Sequence, residues 1–478
     1  MSPEWIYTFV YIAWLAGASC FVLGLHRMNS PATGRSGNQL SAAGMVIAVV
    51  ATFVYLVTRE GGLSGTALAI IFVGFLIGGG AGLYTARSVK MTAMPQLVSL
   101  FNAVGGGAAA LVAIDDFIRL NSGAPLDTTI FVVLGALIGS VTFTGSLIAG
   151  GKLQGLIAGK PIYVPGGQLV TIALAVVAVL GTATLILGAA GTLNLDSTVT
   201  LGLLGLVVLS GLIFGITMVL PIGGADMPVV ISLLNSFTGT AAAMAGFVLG
   251  NPVLIISGAL VGASGAILTK LMADAMNRSV LNIMVGGFGG GDEAAGAVAA
   301  GGASVREIGP DDVAIQLAYA QSVIIVPGYG LAVAQAQHAV RELAELLEAR
   351  GVDVKYAIHP VAGRMPGHMN VLLAEANVPY PQLKEMEEIN PEFDRCDVAL
   401  VIGANDVTNP AARRPGSPVS GMPILDVDHA KSIVVIKRSM GRGYAGIDNE
   451  LYGDPKTGML FADAKDGLAA LTAAVKAL

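Results

Sequence analysis

Apolar residues fill the first part of the chain in blocks the length of a membrane span, separated by short turns that hold most of its charges. A bilayer core of about 30 Å needs about 20 apolar residues per helix. That ruler predicts nine spans, near residues 5–25, 40–58, 64–86, 92–114, 127–149, 166–188, 198–220, 227–249 and 252–274. Beyond residue 305 the blocks shorten and alternate with amphipathic stretches. Strands are predicted at Ser322–Val326, Val352–Ile358, Val398–Ile402, Ile424–Val427 and Ile433–Lys437, with a helix over Leu331–Arg350 ended by Gly351 and a last helix from Gly467. Alternating strands and helices build a doubly wound parallel sheet. Between the two patterns lies Gly286-Gly287-Phe288-Gly289-Gly290-Gly291 and an Ala/Gly run to Gly302, a flexible-linker composition. The predicted organisation is a transmembrane domain over 1–278, a linker over 279–304 and a globular domain over 305–478.

Charge sharpens this division. Residues 1–278 hold 10 Lys/Arg and 8 Asp/Glu, a net +2, whereas the remainder holds 16 and 24, a net −8. Arg27, Arg35, Arg87, Lys90, Lys152, Lys160, Lys270 and Arg278 fall in alternate loops on one side, against Arg59 and Arg119 on the other. The richer side marks the cytoplasm. The N-terminus is therefore expected outside and the globular domain inside, in the cytoplasmic (inner) membrane. Glu4 stands where a secretory signal needs a cation, so the first span is read as retained. Two cysteines, Cys20 and Cys396, allow no disulfide framework, and the histidines have no metal-ligand spacing. No metal and no nucleic-acid partner are expected.

Glycine-rich runs such as Gly78-Gly79-Gly80-Ala81-Gly82 and Gly105-Gly106-Gly107 suit close helix packing. Polar residues at membrane depth say more. Asn102 lies about 16 Å along the fourth helix, and Asn235 about 13 Å beyond Asp226 on the eighth, at 1.5 Å per residue. Both sit near the midplane, where an unpartnered amide costs several kcal/mol, so both should face the bundle interior as interhelical ties or parts of an ion path. Asp226, between Gly223-Gly224-Ala225 and Met227-Pro228, reads as an N-cap at the cytoplasmic start of its helix, and also as a group able to take up protons.

In the globular domain, Gly328-Tyr329-Gly330-Leu331-Ala332-Val333 follows a buried strand and opens a helix. That context belongs to a Rossmann-like dinucleotide site, where glycines let backbone approach a pyrophosphate and the helix start favours its charge. A site for NAD usually places an acid after the second strand, but here that position reads His359-Pro360. Lys437-Arg438-Ser439 ends a strand and runs into Met440-Gly441-Arg442-Gly443-Tyr444-Ala445-Gly446, a cationic loop suited to a phosphate dianion. NADP is the expected dinucleotide.

His359-Pro360-Val361-Ala362-Gly363-Arg364-Met365-Pro366-Gly367-His368, Gly403-Ala404-Asn405-Asp406-Val407-Thr408-Asn409-Pro410, the Lys437–Gly446 loop and the membrane signature Gly223–Pro228 with Asn235-Ser236 together resemble the beta subunit of proton-translocating NAD(P) transhydrogenase over essentially the whole chain. The resemblance implies that Gly328 to Val333 and Arg364 hold the pyrophosphate, that Gly403, Asn405 and Asp406 lie in the loop beside the nicotinamide end, and that Lys437, Arg438, Ser439, Gly443 and Tyr444 form a lid over the adenosine 2′-phosphate. It further implies NADP(H) on this chain with its nicotinamide exposed to a partner, NAD(H) on an alpha subunit, and a dimer of the heteromeric unit. Asp226, Asn235 and Asn102 resemble residues tied to proton conduction. Some members carry histidine at the position of Asn102; asparagine does not titrate, so a group from partner helices would have to replace such a switch.

Hydride transfer between two nicotinamides asks for reacting carbons within about 3–3.5 Å and little acid–base catalysis. With one dinucleotide motif in the chain, the second nucleotide needs a separate subunit. The expected function is transfer from NADH to NADP coupled to inward proton movement. Two rivals remain at this stage: a transporter with a regulatory nucleotide-sensing domain, and a membrane-anchored NADP dehydrogenase carrying its own catalytic His, Lys or Tyr.

Overall fold

The computed structural model describes residues 3–59, 62–90, 93–120, 125–158, 161–223, 226–277, 279–286, 305–363, 367–415, 417, 419–443, 445 and 447–478. Among these, nine helices are long and apolar enough to cross a membrane: α1 Pro3–Arg27, α2 Pro31–Thr58, α3 Gly65–Ser88, α4 Met94–Leu120, α5 Leu126–Gln154, α6 Gly167–Ala189, α7 Ser197–Val219, α8 Met227–Leu249 and α9 Pro252–Ala275. Each predicted span is present. α2 starts nine residues before its apolar block because Pro31 suits a first helical turn and the polar residues after it remain helical outside any apolar layer. By internal contacts the chain divides into two compact units, Met1–Gly223 with Val230–Thr269, and Gly224–Val229 with Lys270–Leu478.

In the first unit α4 lies on α5, and α5 and α6 on α7. Small residues set the spacing: a Cβ on Gly139 of α5 would stand 2.5 Å from the Gly106 carbonyl of α4, so these backbones touch. Gly105 and Gly107 are equally confined, by Thr238 and Phe143. The Gly78–Gly82 run behaves differently from its composition. Nothing described lies within 4 Å of a Cβ at Gly78, Gly79, Gly80 or Gly82, and α3 buries no residue within this chain. Lys152, a loop cation by sequence, sits in the last turn of α5 and is buried because its side chain reaches back to the end of α7.

In the second unit, a short helix α10 occupies Val280–Gly286, where composition places the start of the linker; 287–304 lie outside the described residues. After α11 (Pro310–Ala318) come β1 (Ser322–Pro327), α12 (Tyr329–Val333), α13 (Gln337–Glu348), β2 (Asp353–Ile358), α14 (His368–Glu375), β3 (Leu383–Glu385), α15 (Met386–Ile389), β4 (Val398–Ile402), β5 (Ser432–Lys437), β6 (Thr457–Phe461) and α16 (Ala464–Ala477). The strands form one parallel sheet in the order β3-β2-β1-β4-β5-β6. β1, β4 and β5 are continuous Val/Ile-rich runs because both faces of a covered parallel sheet are buried. Ile324, Val326, Val401 and Val435 pack with Phe393, Leu425 and Tyr452 in its main core cluster.

Three predicted elements differ. The helix expected over Leu331–Arg350 is broken by Gln335 in the left-handed region at φ 50, where the Ala336 N–H closes α12 on the Leu331 carbonyl at 3.1 Å. Ile424–Val427 is not a strand: Leu425 and Val427 are buried as an apolar strand would be, but Leu425 bonds the 3-10 turn at Val407 and Val427 opens another 3-10 turn. The last helix starts at Ala464, three residues before Gly467, because the Asp463 carboxylate caps it by accepting the Lys465 N–H at 3.0 Å.

Candidate functional site

The strand order reverses between β1 and β4, and an open parallel sheet binds ligands outside the carboxyl ends of its strands at that point. A cleft of about 430 Å³ lies there, between the turns after β1 and β4 on one side and the stretch after β5 on the other.

Its floor is built from glycine. The Gly328 N–H donates to the Ile402 carbonyl and the Gly330 N–H to the Gly403 carbonyl, each at 2.9 Å. A Cβ on Gly328 would meet Ala404 backbone at 2.4 Å, and one on Gly330 would meet the Gly403 Cα at 2.6 Å. Gly403 itself sits at φ 66, open to glycine at little cost. The glycines thus let two strand-end turns interlock, and two of the N–H groups that sequence offers to a phosphate are already bonded to protein. Tyr329 and Val333 line the cleft, whereas Leu331 and Ala332 are fully buried in the core behind it.

The facing wall is the stretch after β5. Lys437 is half-buried; its ammonium donates to the Gly441 carbonyl and lies 4.7 Å above the Tyr452 ring. Burial holds its pKa below the ordinary lysine value, and the charges of Asp406 and Asp448 oppose that shift. Arg438 and Ser439 are exposed on the rim, and Ser439 Oγ accepts the Gly441 N–H at 3.4 Å. Asp406 joins the walls: its Oδ2 accepts the Ala445 N–H at 3.0 Å, and a Cβ on Gly443 would stand 2.3 Å from its Oδ1. Gly403, Asn405, Asp406, Lys437, Arg438, Ser439 and Gly443 are therefore brought together around one cleft. Arg364 and Tyr444 lie outside the described residues.

Sequence reasoning missed the supports. Asn449 donates to the Asn405 carbonyl at 2.9 Å and to Thr408 Oγ1 at 3.2 Å, and the Tyr452 hydroxyl lies 3.2 Å from the Ala404 carbonyl and 3.0 Å from Asn405 Oδ1. Burial pushes the Tyr452 phenol above its usual pKa, so it stays protonated as a donor. His359, 1% exposed, accepts the Val361 N–H on Nδ1 at 3.2 Å and sets Nε2 2.8 Å from the Pro423 carbonyl, so the ring is neutral with its proton on Nε2. Burial lowers its pKa to about 4, partly offset by the Pro423 bond. It braces the Val361–Gly363 turn that forms another edge of the cleft. Ala462, Asp463 and Ala464, at the start of α16, close the far edge. Only the strand-then-Asp-cap pattern at Asp463 hinted at this from sequence.

In the helical unit, Asn102 is 5% exposed; its Nδ2 donates to the Ile231 carbonyl at 3.3 Å and its backbone carbonyl accepts from Thr238 Oγ1 at 3.2 Å, tying α4 to α8. Asn235 is half-buried on α8 in the same unit; Asp226, which belongs to the second unit, is buried and immediately precedes α8 in the chain.

The family model for the NAD(P) transhydrogenase beta subunit matches residues 10–474. The NAD(P) transhydrogenase subunit beta of Rhodospirillum rubrum is 48% identical over 463 residues, spanning 95% of this chain and 96% of that protein. The same subunit from a designated strain of that species matches to the same extent.

Proposed function

Because the chain belongs to the NAD(P) transhydrogenase beta subunit family, we propose that it is the membrane-embedded, NADP(H)-binding component of a proton-translocating transhydrogenase that works with an NAD(H)-binding alpha subunit. The observation that carries this reading is the switch-point cleft with Lys437 and Arg438 at one end and no acid after β2. Those charges fit a dinucleotide bearing an extra phosphate.

When bound, NADP(H) supplies a nicotinamide ring able to accept or donate hydride. The chain's residues bind and orient it. Gly328 and Gly330 offer bare backbone to the pyrophosphate, with the Tyr329 side chain and Arg364 beside it. Lys437, Arg438 and Ser439 take the 2′-phosphate under Tyr444, and Asn405 and Asp406 orient the nicotinamide end toward the alpha subunit. Asp226, Asn235 and Asn102 serve the proton route. The N-terminus lies outside the inner membrane and the 305–478 domain in the cytoplasm, joined to the 1–278 domain by the 279–304 linker, in a dimer of the heteromeric unit. One proton crossing 100 mV supplies about 2.3 kcal/mol, enough to shift NADPH/NADP by roughly fiftyfold. Protonation alternately opens and closes the Lys437–Gly446 lid, exchanging NADP(H) in one state and permitting hydride transfer in the other.

The test is reconstitution with the alpha subunit in vesicles, following hydride transfer from NADH to an NADP analogue together with lumen pH. Transfer toward NADP accompanied by proton movement into the cytoplasmic compartment is expected. Transfer with no pH change, or tighter binding of NAD than NADP by this chain, overturns the reading and favours a nucleotide sensor.

A further inference from the structure

Lys152 is a buried cation that the nucleotide chemistry does not use. It is 4% exposed, on the last turn of α5. Its ammonium donates to the carbonyls of Leu220 and Ile222, the latter at 2.8 Å. Leu220 caps the C-terminus of α7, and its carbonyl also accepts the Ile162 N–H at 3.1 Å. Carbonyls at a helix end lack intrahelical partners and carry the negative end of the dipole, so an ammonium satisfies both their bonding and their charge. Pro221 and Ile222 are buried. One side chain therefore ties together the end of α5, the connection at Ile162 and the turn that leaves α7. Ile222 precedes Asp226 by four residues in the chain, and the turn leads into α8, which carries Asn235.

An ammonium buried in an apolar bundle is costly, and an apolar side chain of similar length would fill the same space. What the amine adds is a fixed geometry for the α7 turn. We propose that Lys152 is a positioning residue for proton translocation, holding the turn that leaves α7 so that the part of α8 carrying Asn235 keeps the arrangement the proton route needs. This inference rests on the proposed roles of Asp226 and Asn235.

The test uses the full-length chain with its alpha subunit in vesicles, as wild type, K152M, K152R and D226N. Hydride transfer from NADH to an NADP analogue is read with and without an imposed proton gradient, along with KM for the analogue and the thermal midpoint of the complex. K152M should keep KM within about twofold but lose at least about tenfold of the stimulation by the gradient, a split that a merely structural cap would not produce. K152R, whose guanidinium can reach two carbonyls, should recover stimulation to within about threefold of wild type. Wild-type stimulation in K152M overturns the inference, as does K152R with a wild-type thermal midpoint and no recovery. If K152M does not assemble, K152R decides: stimulation near wild type supports the inference and its loss overturns it. D226N separates the two readings. Retained stimulation in D226N removes the proton route itself, whereas loss in D226N beside retention in K152M removes only the role of Lys152.

Discussion

His359 makes the C-terminal domain acid-sensitive in a way that can be measured. Its ring is buried and neutral, with Nδ1 engaged by Val361 and Nε2 by Pro423. The folded pKa is lowered to about 4 from 6.5. Between those values the unfolded chain binds the proton and the folded chain does not, so the His359 contribution is fully present above pH 6.5 and is lost as pH falls toward 4. From pH 7.5 to pH 5 the loss works out at about 2 kcal/mol for this residue alone. Carboxylates titrate in the same window, so the comparison must be between variants. In His359→Gln the side chain has no proton to gain, and at pH 7.5 the domain should be weakened by about 1–3 kcal/mol for the disturbed buried bonds. The assay is urea unfolding of residues 305–478, wild type against His359→Gln, at pH 7.5, 6 and 5. The gap between the two proteins should narrow by about 2 kcal/mol as pH falls. A gap that stays constant across this range would mean that His359 titrates alike in the folded and the unfolded chain, and the buried, doubly bonded ring drawn for it would be wrong.

Asn235→Leu should abolish coupled proton movement in vesicles while leaving NADP binding intact by calorimetry; equal loss of both would count against a separable membrane role. Lys437→Met should weaken NADP binding by roughly 10- to 100-fold, as removal of a charge-assisted bond does, and change NAD binding little, both read by isothermal titration. Comparable losses for the two nucleotides would place Lys437 away from the extra phosphate. Gly330→Ala must push the β1 turn off Gly403, so urea unfolding should show a loss of about 1–3 kcal/mol with NADP affinity falling alongside; an unaffected midpoint would show that the floor can yield.

The parts of this architecture readable from sequence are those governed by local periodicity. Among the described residues nine helices follow from nine apolar blocks, because a block of about 20 apolar residues satisfies all of its own backbone in lipid as a helix. β1, β4 and β5 follow from Val/Ile runs, and the turn at Gly328 from glycine spacing. Features set by tertiary contact were hidden. Nothing local distinguishes Ile424–Val427 from a strand, since its side chains are buried in either case and only pairing differs. The break at Gln335 interrupts an otherwise continuous helical pattern. Asn449 and Tyr452 act on residues tens of positions away, and the ring of His359 that braces its own turn is fixed by distant Pro423, so their support of the cleft could not be read from spacing. Lys152 looked like a topological marker because a charge near the end of an apolar block normally faces water. The glycines of α3 show the converse: a composition suited to packing, with no packing partner in this chain among the described residues.

If the cleft holds the nucleotide proposed for it, the interlocked turns at Gly328, Gly330 and Gly403 also constrain how that nucleotide leaves. The three glycines themselves have no rotamers to exchange, so their backbone cannot swing aside, and shifting it means prying β1 from β4 at the centre of the sheet. On that reading turnover is governed from the opposite bank, where Asp406 accepts the N–H of Ala445 and fits closely against Gly443. Loosening that clasp, rather than deforming the bed beneath it, is the inexpensive way for a distant event to release the ligand.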